Sequence, residues 1–498
     1  MVGLSLLALD RSHDGSLRKQ LYLRLRDAIV SGTLREGSRL PSTRAVAASL
    51  AISRTTVTDV FAQLLAENYL VTRHGSGTYV AAGSATGAVR LRESAPTAWE
   101  RASLRGRLFA NADVASRLDA KRPVAFQPGI PALDHFPFEI WSRLAAIVMR
   151  RPEASVVSYG DPGGYAPLRE AIAAQLRSHS GLVCRPEQIV VVGGSQQALD
   201  LVCRLALDPG DEVWLEDPAS ASVRATFVGS GVRIVPVPVD REGIDVAAGR
   251  AIAPGARLVH VTSAHQWPTG VTMSAARRQE LLDWADAADA WIVEDEYDGI
   301  FRYDDRVPRA IASLDGHKRV VSIGSFSVST FPAMRIGYLI APPGLVDAFV
   351  AAKSIADRQT STLDQAVLAE FMYGGHYLRH LNRMREVYAE RRERLVSGLE
   401  TATGLAAELP AAGLHVLLPL PDGSNDSAIS QAAFHAGVVA RPLSPLYRRT
   451  PKSGLVLGFA VAKPADAEPA LRALVSALRA TIPGTRARAH RAAREIPG

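Results

Sequence analysis

The stretch Ser322-Ile323-Gly324-Ser325-Phe326-Ser327-Val328-Ser329-Thr330-Phe331-Pro332-Ala333-Met334-Arg335-Ile336-Gly337-Tyr338 decides how this chain is read. It starts at the end of one short apolar run, 320–323, and finishes inside another, 336–340. Runs of that length, bounded by Gly, Ser and Pro, read as strands. The polar segment between them offers Ser325 and Arg335 on either side of Val328. A guanidinium is a fork of donors suited to a dianionic phosphate; a structural ion pair is its other use. Val328 has no nitrogen and can be neither nucleophile nor proton carrier.

Outward from this stretch the pattern repeats. Further apolar runs lie at 189–192, 212–215, 233–237, 258–262 and 291–294, with helical patterns such as 277–287 between them. That alternation predicts an α/β body with a largely parallel sheet over 124–484. Gly193-Gly194-Ser195-Gln196-Gln197-Ala198 follows the first run and opens a helix. Its backbone N–H groups and the Ser195 hydroxyl suit a phosphate, although glycine-led helix starts are common. Glu294-Asp295-Glu296-Tyr297-Asp298 closes a later run, and alone such an acidic cluster reads as a solvated strand end.

The first 82 residues have a different pattern. Leu21, Leu25, Ala28 and Ile29 recur at helical spacing. Pro41-Ser42 starts a short helix through Val46, Ala47 and Leu50, with Ser42 or Thr43 as its N-cap. Ser53 can cap a second helix in which Val57, Phe61, Leu64 and Leu65 share one face. Residues 69–80 read as a hairpin with His74-Gly75-Ser76-Gly77 at its turn. Helix, short turn, helix, hairpin is the outline of a winged helix-turn-helix.

Residues 83–123 are rich in Ala, Ser, Gly and Arg and read as a linker holding one short helix near 99–109. Residues 485–498 read as a basic tail. Charge follows these boundaries. Residues 1–82 carry +4, 83–123 carry +4 and 485–498 carry +3, so the large body is left at −4 within a total of +7. A basic excess outside the large body suits an acidic partner, and solvated linkers are the plainer explanation. Cys184 and Cys203 form no CxxC pair, so neither a metal site nor a disulfide framework is expected. No signal-peptide pattern and no apolar run of about 18 residues is present, which implies a cytoplasmic protein without a membrane span.

Arg39-Leu40-Pro41-Ser42-Thr43-Arg44, Ser53-Arg54-Thr55-Thr56-Val57, Leu64-Leu65-Ala66-Glu67-Asn68-Tyr69-Leu70 and Gly75-Ser76-Gly77-Thr78-Tyr79-Val80 closely resemble the GntR family of DNA-binding regulators. The resemblance implies double-stranded operator DNA as partner, contacted by Arg44, Ser53, Arg54, Thr55, Thr56, His74 and Gly75. Elementary chemistry agrees: a helix N-terminus meets a phosphate, and an arginine beside it reaches a phosphate or a guanine edge.

From Val124 onward the chain resembles the aminotransferase-like domain of the MocR/GabR subfamily of GntR regulators, a fold-type I pyridoxal-phosphate (PLP) fold. The resemblance assigns Gly194, Ser195, Gln196, Ser325 and Arg335 to the cofactor phosphate. It gives Asp295 the pyridine nitrogen and Tyr297, with Gln266 or His265, the ring oxygen. Tyr159 would reach a partner subunit's phosphate. The same resemblance puts the Schiff-base lysine after Ser325-Phe326-Ser327, where this chain has Val328. Other departures surround the ring position: Ser220 stands where a stacking tyrosine is usual, and Ser263-Ala264 replaces Pro-Ser. Lys318 and Lys353 flank the segment without an obvious route to the aldehyde carbon. Arg441, Arg448 and Arg449 are candidates for a substrate carboxylate.

These readings imply a dimeric regulator of the MocR type, with a winged helix-turn-helix at 1–82 and an α/β aminotransferase-like domain at 124–484. That domain would sense a small effector, PLP or amino-acid related, with PLP held noncovalently at best. The alternatives are a PLP-dependent aminotransferase with a DNA-binding appendage, against which the missing lysine argues, and a domain that serves only as scaffold.

Overall fold

The computed structural model describes residues 9, 16–82, 102–111, 123–304, 308–316 and 318–481. They divide into two compact units, one ending at Ala102 and one starting at Ser103.

In the first unit, α1 (Leu17–Val30) buries Leu21, Leu25 and Ile29. α2 (Thr43–Leu50) starts at Ser42, whose hydroxyl accepts from Ala45 N–H at 3.3 Å. α3 (Arg54–Ala66) starts at Ser53, whose hydroxyl accepts from Thr56 N–H at 3.0 Å. Each cap satisfies a backbone donor that the helix itself leaves unpaired. Ala51 lies at φ 50°, the left-handed conformation that turns the chain sharply between α2 and α3. Val57, Val60, Phe61 and Leu64 of α3 close one core with α1, Val46, Leu70 and Val80. The strands β1 (Leu70–Arg73) and β2 (Gly77–Val80) form the expected antiparallel hairpin.

The second unit is built on eight strands. They are β3 (Ile189–Val192), β4 (Glu212–Asp217), β5 (Arg233–Asp240), β6 (Gly243–Ile244), β7 (Leu258–Val261), β8 (Trp291–Glu296), β9 (Val320–Ser325) and β10 (Gly337–Ile340). Their spatial order is β3-β10-β9-β8-β7-β4-β5-β6. The pairs from β9 through β8, β7 and β4 to β5 are parallel. β10 runs antiparallel between β3 and β9, and β6 antiparallel to β5. Both faces are covered. On one, Val190, Val213, Leu215, Val293 and Ile323 pack under helices Ser195–Ala206, Ala221–Ser230 and Val346–Asp357. On the other, Val191, Trp214, Val259 and Ile292 join Leu168, Leu281, Trp284 and Phe371. Strands buried on both faces lose polar alternation, which is why their sequences are continuous apolar runs.

A second sheet, β11 (His415–Pro419), β12 (Arg441–Pro442) and β13 (Gly454–Gly458), follows the long helix His376–Thr403. The division between units falls inside the segment 83–123 expected to be a linker. Within it Leu104–Asn111 is a helix of the second unit, packed on Ala221–Ser230, with Arg105 Nε donating to the Gly229 carbonyl at 3.2 Å. The rest of that segment, 83–101 and 112–122, and the basic tail 485–498 lie outside the described residues. No helix among the described residues is long and apolar enough to cross a membrane.

Candidate functional site

The first unit presents α3 by its N-terminus. Ser53, Arg54 and Thr55 are exposed, and Thr56 is half-buried with its hydroxyl 2.8 Å from Ser53 Oγ. Arg44 on α2 is also exposed, and neither arginine's guanidinium has a hydrogen bond or ion pair with a described residue, while the Arg54 carbonyl accepts from Thr58 Oγ1 at 2.9 Å. His74 and Gly75 occupy the exposed hairpin tip, where Gly75 has φ 68° and Ser76 N–H donates to Arg73 O at 2.9 Å. Arg39 lies against Gly77, where a Cβ would stand 3.0 Å from its Nε. Glycine there lets a long cation lie along the hairpin. Arg73 stacks over Tyr79 at 4.7 Å. Sequence reasoning did not single out Arg39 or Arg73. The unit thus offers unpaired cations, a free helix start and a narrow hairpin tip, the parts that phosphate and base-edge contacts use.

In the second unit the sheet register assembles the other predicted residues. Gly337 pairs with Val192 on one side and Ser325 on the other. The ends of β3 and β9 and the start of β10 therefore share one rim. The packing is tight: a Cβ on Gly337 would stand 2.8 Å from the Gly324 carbonyl oxygen and 3.0 Å from Gly194 Cα. Gly194 itself has φ 115°, and a Cβ there would stand 2.7 Å from Arg335 Nη2. The Arg335 guanidinium thus lies beside the first residue before helix Ser195–Ala206. Arg335 is exposed at φ 52° and ends a single turn of 3-10 helix. Ser325 Oγ is 3.1 Å from Ser327 Oγ and accepts from Ser327 N–H at 3.2 Å. A helix N-terminus, a hydroxyl and a guanidinium converge as a phosphate cradle would need.

A hydrogen-bond chain supports that cradle from behind. Gly193 N–H donates to Gln197 Oε1 at 2.7 Å, Gln197 Nε2 to Asp357 Oδ2 at 2.8 Å, and Lys353 Nζ to Asp357 Oδ1 at 2.5 Å. Burial pushes the Lys353 amine below its usual value, while Asp357 opposes that shift. Lys318 is exposed just before β9, at the end away from Ser325. Val328 is buried, 7% exposed, in the apolar cluster with Phe326, Met334 and Ile336. The turn carrying it is fixed locally: Thr330 Oγ1 donates to Phe326 O at 2.6 Å, and Tyr377 donates to Ser329 Oγ at 3.0 Å.

Asp295 lies on β8, paired with Ile323 of β9. Its Oδ1 is buried without a hydrogen-bond partner among the described residues, and its Oδ2 is 3.7 Å from His260 Nε2. Both ring nitrogens of His260 also lack hydrogen bonds. A buried carboxylate oxygen without a partner is uncommon and calls for a donor. Nothing in the sequence singled out His260, because its approach to Asp295 depends on the pairing of β7 with β8.

Other predicted residues are engaged within the protein. Gln266 Nε2 donates to Pro218 O at 2.9 Å and Glu216 Oε2 at 3.2 Å, and its Oε1 accepts from Thr269 Oγ1 at 2.6 Å. Gln196 Nε2 donates to Thr226 Oγ1 at 3.1 Å. Tyr297 Oη lies 3.2 Å from His265 Nδ1, which in turn is 3.0 Å from Asp298 Oδ1. His415 Nδ1 is 3.9 Å from Asp298 Oδ2, which accepts from Leu414 N–H at 3.1 Å. These three side chains, His265, Asp298 and His415, are the grouping among the described residues with metal-ligand spacing; the His265–Asp298 hydrogen bond joins two of them, and His265 Nε2 is buried without a partner among the described residues. Burial, then His265, pushes His415 well below the usual imidazole value. Burial raises the Glu216 carboxyl to about 7. Of the candidate carboxylate anchors, Arg441 lies over Trp267 at 5.8 Å, while Arg448 and Arg449 donate backbone N–H groups to Asp217 at 2.7 and 3.0 Å. Ser220 Oγ pairs with Ser222 Oγ at 2.8 Å. Tyr159 is 80% exposed, with Arg358 over its ring at 4.9 Å.

Residues 17–80 match the family described as bacterial regulatory proteins, gntR family, and residues 145–474 match aminotransferase class I and II. The chain is 37% identical, over 95% of its length and 96% of the relative's, to the probable rhizopine catabolism regulatory protein MocR of Rhizobium meliloti. It is 34% identical, over 78% of its length and 80% of the relative's, to the HTH-type transcriptional regulator TauR of Rhodobacter capsulatus. Among solved structures it is similar to LysN, an alpha-aminoadipate aminotransferase of Thermus thermophilus complexed with N-(5'-phosphopyridoxyl)-L-leucine. That likeness has TM-score 0.68 at 28% identity and covers 75% of this chain and 97% of LysN. With a gntR-type helix-turn-helix before a fold-type I aminotransferase body, the chain belongs to the MocR-type transcriptional regulators of the GntR family.

Proposed function

We propose that this regulator binds operator DNA as a homodimer and that its aminotransferase-like unit senses a small ligand without transaminating. The observation that carries the reading is Val328, buried among apolar side chains where the resemblance implies a lysine. The rest of the rim fits PLP. Arg335, the Ser325 hydroxyl and the start of helix Ser195–Ala206 would hold its phosphate, and the unpartnered Asp295 Oδ1 would accept from its ring nitrogen. When bound to an enzyme that group acts as an electron sink for an attached amine. Here the chain supplies only orientation. Asp295 would keep a proton at the ring nitrogen, Arg335 would offset the phosphate charge, and Val328 offers neither a nucleophile nor a proton carrier. Lys353, the described lysine tied to this rim, has its amine committed to Asp357.

The dimer is supported by an exposed apolar surface on the second unit. Helices Phe138–Arg150 and Ala154–Val157 both pack on Thr362–Tyr373 and still expose Phe138, Ile147, Met149 and Val157 at 48–62%. Such surfaces mark protein contacts, and a second copy would bring Tyr159 to its partner's cradle. Two copies of α3 would read two half-sites. The protein is assigned to the cytoplasm with its DNA.

Operator binding by full-length protein tests this reading. Arg54→Ala should cost roughly 1–3 kcal/mol if Arg54 reads a base. Footprinting should show two protected half-sites, and affinity should fall as salt rises. Unchanged affinity in a folded Arg54→Ala protein removes that residue from the interface. A PLP titration separates sensing from scaffolding, because a scaffold gains no saturable stabilisation from PLP.

A further inference from the structure

Successive side chains on a strand point to opposite faces, so Glu296 turns away from the face that Asp295 occupies. It lines a cavity of about 90 Å³ behind the sheet, walled by β8, β9, β10, helix Ala166–His179 and helix His376–Thr403. At roughly 15 Å³ for each water-sized sphere, that space admits about six non-hydrogen atoms.

Three polar groups line this cavity without adequate partners. Glu296 has a single hydrogen bond among the described residues, a long one of 3.4 Å from Ser263 Oγ. Ser322, 5% exposed, has no partner for its hydroxyl among the described residues. Arg302, 7% exposed, spends Nε and Nη2 on Asp304 at 3.0 and 2.7 Å and leaves Nη1 without a partner among the described residues. Leaving such groups unsatisfied costs more than their pairing returns, so three on one cavity are unusual. Burial, then neighbouring Glu294, raises the Glu296 carboxyl to about 8, which marks a group short of positive charge. The rest of the wall is mixed, with apolar side chains such as Leu182, Ile300 and Ile340, the polar His179 and Glu294, and three aromatic rings. Phe326 meets Tyr338 at 5.8 Å and Tyr377 at 5.7 Å, and faces of this kind attract cations.

A carboxyl beside aromatic rings selects an ammonium, and a free guanidinium nitrogen selects a carboxylate. We infer that this cavity is a second ligand site, adjoining the phosphate cradle at Ser325, for a small zwitterionic amino acid of glycine to β-alanine size. The ammonium would sit between Glu296, the Ser322 hydroxyl and the rings, and the carboxylate would take Arg302 Nη1. Of the PLP contacts proposed above only Ser325 also lines this cavity, while Arg335 and Asp295 do not, so Arg335→Ala tests the cradle apart from this site.

Calorimetry on the full-length protein tests the site with glycine and β-alanine as probes, and with n-propylamine and propionate as singly charged controls. The zwitterions should bind saturably, and each control roughly tenfold more weakly or worse. Glu296→Gln, which keeps the shape, should weaken zwitterion binding by at least about tenfold. Ala310→Leu, which extends a wall residue into the space, should do the same, while Arg335→Ala should leave it unchanged. Absence of saturable heat up to tens of millimolar would overturn the site and leave a water-filled cavity. Binding that survives both Glu296→Gln and Ala310→Leu would overturn it by placing the ligand elsewhere.

Discussion

At the rim of the eight-stranded sheet, the end suited to a phosphate and the end suited to a reacting aldehyde are built to different degrees. The phosphate end has Gly194, Ser195, Ser325 and Arg335 converging, with Gly337 packed so tightly that no Cβ fits. The end that the proposed reading gives to a reacting aldehyde has Val328 in an apolar cluster and Ser220 turned to Ser222. The difference shows how binding and covalent chemistry separate physically. Phosphate recognition is spread over backbone N–H groups, sheet register and glycine packing, so it survives many single changes. Covalent chemistry at a carbonyl depends on one amine at one position.

Arg335→Ala should break the phosphate end with the largest effect. Removing a charged hydrogen-bond donor should weaken PLP binding by roughly 1.5–3 kcal/mol, read by calorimetry. If millimolar PLP gives neither heat nor a thermal shift even in the unmodified protein, the two ends do not differ in binding and the scaffold reading stands. Ser220→Tyr addresses the other end. An aromatic ring against the pyridine should add about 0.5–1.5 kcal/mol to PLP affinity, and no gain would place Ser220 away from the ring.

Much of this contrast was legible in the sequence, and the reasons are local. A strand buried on both faces is written as an apolar run, so β3 to β10 were readable apart from the two-residue β6, with ends shifted by a few residues. Caps are local too: Ser53 caps α3 as expected, and of Ser42 and Thr43 it is Ser42 that caps α2. The second sheet was not readable, because β11, β12 and β13 are short and pair across long sequence separations. The same holds for His260 beside Asp295, for the Lys353–Asp357–Gln197 chain and for the His265–Asp298–His415 junction. Glu296 was read only as one member of an acidic strand end. Its place behind the sheet requires the fold, since adjacent carboxylates in sequence go to opposite faces.

Those buried carboxyls give a smaller, pH-dependent effect. Burial raises Glu216 from the ordinary 4.5 to about 7, and burial with Glu294 raises Glu296 to about 8. Folded protein therefore holds protons that unfolded chain has already released between about 4.5 and these values. The stability these groups contribute is full below 4.5 and is lost as pH rises through 7 to 8. Glu296→Gln should raise the melting temperature of the second unit by a few degrees at alkaline pH and change it little at pH 5. A uniform shift across that range would mean that Glu296 keeps an ordinary carboxyl.

The most direct test of the central claim is mass spectrometry after borohydride reduction with PLP, on the unmodified protein and on Val328→Lys. The unmodified chain should carry no covalent PLP. In Val328→Lys, burial should lower the amine's pKa and favour its nucleophilic form, so the cofactor should be found fixed at residue 328. A PLP adduct in the unmodified protein, mapped to Lys318 or Lys353, would contradict the account.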